Sequence, residues 1–147
     1  MNTRIILAAG VAALGLAAAA FLQSPPPGQA QSRTSAPPAT GAPLVQVVLP
    51  RDLSPQAQMG KTAFDAICAA CHGTNAAGRQ GMGPPFVHPI YRPGHHGDMA
   101  FQIAVRQGVR AHHWPFGDMP PQTGLTEADV QNIVAYVRAL QRANGID

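Results

Sequence analysis

The sequence predicts an all-α domain over residues 44–147, preceded by an apolar N-terminal segment and a Pro-rich linker. Two observations carry that expectation. Apolar residues recur at helical spacing before Cys68, after Asp98 and after Thr126. The stretches between them are Gly/Pro loops without the alternation of a strand.

Met1 to Arg4 forms a short positive region, and Ile5 to Leu22 is uncharged and apolar. Residues 1–23 therefore read as an export segment, either a signal peptide or an uncleaved membrane anchor. The run exceeds the roughly 7 to 15 residues of a signal core and comes close to the roughly 17 that span a bilayer. Ala18, Ala20, Gly28 and Ala30 offer small residues to a peptidase. Residues 24–43 hold one charge, Arg33, among Pro, Ala, Gln, Ser, Thr and Gly. Such a composition cannot bury enough surface to offset the entropy of ordering, so it reads as a disordered linker. All seven Asp and Glu lie within residues 44–147, as do eight of the ten Lys and Arg, Arg4 and Arg33 being the two outside. Charge nearly cancels in the domain, which argues against a nucleic-acid partner.

The first helix starts with Ser54 as cap and Pro55 in its first turn, with Met59, Phe64 and Ile67 as apolar contacts. It runs into Cys68-Ala69-Ala70-Cys71-His72, the attachment signature of haem c. Cysteines three apart on a helix lie on nearly one face, where both thiols reach the vinyl groups of one porphyrin, and His72 falls under the iron. One covalent haem would serve as a large part of a small core, so the domain should fold poorly without it. A redox disulfide or half of a zinc knuckle uses the same Cys spacing. Zinc would want two further Cys or His in a comparable knuckle, and a redox motif a helix start beside a strand pattern; neither context is present.

From about Gln56 to Gln141 the chain resembles the class I, monohaem c-type cytochromes of bacteria. The resemblance rests on Met59 to Gly73, on Gly81-Met82-Gly83-Pro84-Pro85-Phe86, on Trp114 to Pro121, and on a last helix after Leu125. That helix has Thr126 as cap with Asp129 three on, then Val130, Ile133, Val134, Val137 and Leu140, with Tyr136 beside them. The family fold crosses the first and last helices, here at Gly60 and Phe64, and wraps loops around one haem. Gly60 would let the last helix approach closely. The resemblance implies that the Pro84 carbonyl accepts a hydrogen bond from the proximal His72, with Phe86 where the family usually has Leu. It also implies that Met119 is the sixth ligand, a weak thioether donor that raises the potential relative to a second imidazole. Asp98 is a suitable cap for an intervening helix that Gly108 stops.

Histidine is in excess. His88, His95, His96, His112 and His113 all fall in the stretch expected to wrap the haem edge. They read either as solvated loop imidazoles, as a second metal site formed by His95, His96, His112 and His113, or as a replacement of Met119 on iron by His112 or His113. Adjacent histidines on a loop are expected to point apart, which favours the solvated reading.

Cofactor and fold together imply one-electron transfer in the periplasm by a carrier rather than an enzyme. The alternatives are a haem protein with an added copper or other metal site, and a peroxidase needing a labile Met119. The expected partners are redox proteins, among them a membrane complex or a copper protein, with membrane attachment if the N-terminal helix is retained.

Overall fold

The computed structural model describes residues 39–147. The expected export segment 1–23 and residues 24–38 of the expected linker lie outside the described residues. Among the described residues the secondary structure is helical, with two isolated bridges, Arg79 with Gly83 and Val109 with Met119. None of these helices is long and apolar enough to cross a membrane.

Helix α1 (Pro55–Ala63) begins where expected: Ser54 Oγ accepts from Ala57 N at 3.2 Å, with Pro55 in the first turn. Its register changes in a π-helical turn, Phe64–Cys68, before α2 (Ala69–His72). Short 3₁₀ turns follow at Thr74–Ala76 and Pro89–Tyr91. Helix α3 spans Asp98–Gln107 and α4 spans Glu127–Ala143. Thr126 and Asp129 form the reciprocal box at the start of α4: Thr126 Oγ1 accepts from Asp129 N at 3.2 Å, and Thr126 N donates to Asp129 Oδ2 at 2.9 Å.

Helices α1 and α4 cross in backbone contact at Gly60, where an added Cβ would lie 1.8 Å from Asn132 O. Phe64 seals the crossing, fully buried and edge-on to Tyr136 at 5.7 Å. Val130, Ile133, Val134, Val137 and Leu140 bury the inner face of α4.

Three local expectations are corrected. Met59 is 57% exposed and not core, because it lies on the face of α1 turned away from α4. The cap of α3 is Gly97, not Asp98. Asp98 is the first helical residue, and its carboxylate accepts from Arg138 Nε at 2.9 Å instead of capping the turn. At the edge of the expected linker, Gly41 N donates to Gln80 O and Gln80 N to Ala42 O, both at 2.8 Å, so residues 41–42 are tied to the domain. The next residues continue along it, and Asn144 holds Val48 from the end of α4 through bonds of 2.8 and 2.9 Å.

Candidate haem site

A cavity of about 590 Å³ opens between α2, the Gly83–Phe86 loop, α3, the loop leading to Met119, and the α4 residues Val130 and Ile133. Cys68, Cys71, His72, Pro84 and Met119 all line it. The π-helical turn ends on Cys68, and α2 then carries Cys71 and His72. Cys68 is half-buried and Cys71 exposed. Burial, with the neighbouring Cys71 adding to it, pushes the Cys68 thiol up to about 11, so it stays protonated at neutral pH.

His72 is buried, and its Nδ1 lies 2.9 Å from Pro84 O. A carbonyl can only accept, so Nδ1 carries the proton and Nε2 keeps its lone pair. Burial holds the imidazole below its usual range, with the Pro84 bond opposing, and the ring is neutral. Phe86 stacks on it at 4.1 Å between ring centres, 25° from parallel. One hydrogen bond and one ring face therefore fix the plane of His72.

Met119 sits opposite in sequence but on the same cavity. Its N and O both pair with Val109, each at 2.9 Å, which pins the backbone at the foot of the loop. Gly108 has φ 75°, and an added Cβ there would lie 2.5 Å from Met119 O. Trp114 lines the same cavity, with its indole Nε1–H buried. A mostly apolar slot with two thiols, an oriented imidazole, a thioether and a buried indole N–H suits a flat apolar macrocycle.

The model of the cytochrome c family matches residues 57–141. The chain belongs to the cytochrome c family. Membership brings covalently bound haem c, and with it electron transfer rather than turnover of a substrate. Among curated members of the family, cytochrome c-555 of Chlorobaculum thiosulfatiphilum is 33% identical over 84 residues, covering 55% of this chain and 92% of that protein. The cbb3-type cytochrome c oxidase subunit CcoP of Azospirillum brasilense is 36% identical over 90 residues, covering 57% of this chain and 28% of the subunit. The chain thus spans little more than a quarter of CcoP's length. No solved structure gives a significant match.

Around the cytochrome c cavity the histidines separate by role. His88 Nδ1 accepts from Ile90 N at 3.2 Å, so His88 caps the Pro89–Tyr91 turn. His112 Nδ1 lies 2.8 Å from Arg110 O. His95, His96 and His113 converge, against the expectation that neighbouring loop histidines point apart. Sequence reasoning also missed Arg138. It is buried on α4 and donates to Tyr91 O at 2.7 Å, Gln141 Oε1 at 2.6 Å and His96 O at 2.5 Å. Gln141 extends this hub to Phe86 O at 2.8 Å. The only signal for either is a polar residue close to the apolar stripe of α4, which reads as a solvated face.

Proposed function

We propose that this cytochrome is a periplasmic one-electron carrier whose haem is attached through Cys68 and Cys71 and held axially by His72 and Met119. The observation that carries this reading is the Nδ1 to Pro84 bond, which leaves His72 Nε2 as a neutral donor on a cavity that Met119 also lines. Haem c supplies a single-electron couple at iron. Cys68 and Cys71 keep the group in place irrespective of axial exchange, and Pro84 increases the donor strength of His72. Met119 offers a neutral thioether that favours the reduced state, from a backbone that the Val109 pairing holds still. Phe86 and the α4 residues Val130 and Ile133 line that cavity with apolar surface, which would keep water from the bound group.

In the same reading residues 1–23 export the chain or anchor it, and the Pro-rich stretch between them and the residues tied to the domain at Gly41 serves as a linker. Likeness to a subunit of a cbb3-type oxidase supports a membrane-bound redox complex as partner. The test is the spectrum of the exported protein, with an alkaline pyridine assay for thioether-linked haem. Met119→Ala should abolish the far-red band of Met-ligated ferric haem and lower the potential, whereas Met119→His should stay low-spin at a lower potential. An unchanged band and potential in Met119→Ala would assign the sixth position elsewhere.

A further inference from the structure

Two loops bring three imidazoles together at the mouth of the haem cavity. His95 and His96 close a turn in which both backbone N–H groups donate to Arg92 O at 2.9 Å. His113 arrives from the loop after Gly108. One ring nitrogen from each of the three lies within 4.8 Å of the others. Ligands bound at about 2.0 to 2.1 Å to one ion stand roughly 3 to 4 Å apart, so a small rotation of exposed side chains closes the set.

The cluster is supported from behind. His96 Nδ1 lies 2.7 Å from Ile90 O and must donate to it, which leaves Nε2 as the nitrogen free to bind an ion. The His96 carbonyl is tied to Arg138 on α4. On the other loop, Ala111 N donates to Asp118 Oδ1 at 2.8 Å, holding the strand of chain that carries His113. His112 likewise donates from Nδ1 to Arg110 O, but it is not among the three residues whose ring nitrogens converge. No carboxylate or thiolate joins the three, and His95 and His113 are exposed, which leaves coordination positions for water.

We propose that His95, His96 and His113 form a binding site for a divalent late transition-metal ion, distinct from the haem iron. A set of neutral imidazoles is a borderline donor that excludes Mg2+ and Ca2+, and the usual order of affinity puts Cu2+ above Zn2+. An ion held there joins the turn before α3 to the loop that carries Met119.

The test uses the ferric holoprotein, titrated calorimetrically with Cu2+ and separately with Zn2+ at about pH 7.5, above the imidazole range. The expected result is one ion per chain, Cu2+ tighter than Zn2+, with nitrogen hyperfine structure in the Cu2+ paramagnetic resonance spectrum. His96→Ala and His113→Ala should each weaken binding by at least about 100-fold, more than the roughly 10- to 100-fold that a supporting group usually carries. His112→Ala should stay within about threefold of the unaltered protein. Equal affinity in a variant with Ala at 95, 96 and 113 would overturn the site. So would an equal loss in His112→Ala, or a Cu2+ spectrum of the unaltered protein without nitrogen coupling. The haem absorption spectrum, read in every sample, checks that each variant keeps its fold.

Discussion

The plane of His72 depends on contacts from one short loop, the Pro84 carbonyl and the Phe86 ring. Phe86 also meets Tyr91 and Phe101 edge-on at 5.2 and 5.4 Å, so its loss would open a hole shared by several rings. Phe86→Ala should destabilise the holoprotein by about 3 to 5 kcal/mol in denaturant titration. Phe86→Leu, the residue usual in the family, should cost less than about 1.5 kcal/mol. If the two variants were equally stable, Phe86 would not be packing as described. Cys68, Cys71, His72, Pro84 and Met119, which line one cavity, could be singled out in the sequence because attachment signature, proline loop and methionine loop are local in the chain. Arg138 and the joining of His95 and His96 with His113 could not. Both depend on which loops return over α4, a long-range property that spacing does not record. Arg138→Ala leaves the His96 carbonyl without its Arg138 donor and Tyr91 O with Gln141 Nε2, and should cost about 1 to 3 kcal/mol, measured the same way.

At the level of elements, the crossing of α1 and α4 has no room for a side chain at Gly60. Gly60→Ala must push backbone from backbone, and a loss of at least about 3 kcal/mol is expected, seen as a lowered unfolding midpoint. Sparing the midpoint would mean that the helices do not touch there. The start of α4 responds to pH. Hydrogen bonds from the Thr126 side chain and backbone hold the Asp129 carboxyl below its usual range. A lowered folded pKa means that the unfolded chain takes up protons first as pH falls, so the contribution is complete above the usual value of about 3.9 and disappears below it. Asp129→Asn should therefore melt lower than the unaltered protein near neutrality and converge with it in acid; parallel curves down to low pH would exclude this. Helix starts were readable because cap residues act within three positions. The α3 cap was misplaced by one residue because that locality failed: Gly97 and Asp98 both suit a cap, and the Asp98 carboxylate is taken by Arg138, 40 residues away.

For the molecule as a whole, a cavity of about 590 Å³ inside so small a domain means that the bound group supplies much of the core. Cys68→Ala combined with Cys71→Ala should give a chain lacking covalent haem and most of its helical circular dichroism. Retention of haem through denaturing electrophoresis would contradict the attachment assignment. The all-α class was legible from the helical spacing of apolar residues, and the crossing from family resemblance. The ordered edge of the domain was not, because Gly41 and Ala42 gain their order from backbone bonds to Gln80, and composition is silent about those. The antiparallel bridge between Val109 and Met119 carries a consequence for protein engineering. It clamps both ends of the loop from Arg110 to Asp118, and each doubling of a clamped loop's length adds only about 0.6 kcal/mol of closure entropy. Insertions in the loop are thus tolerated while Met119 keeps its station, provided Trp114 and the other residues that line the haem cavity are retained, so this rim is a cassette in which metal affinity or partner choice can be varied by the residues placed between them.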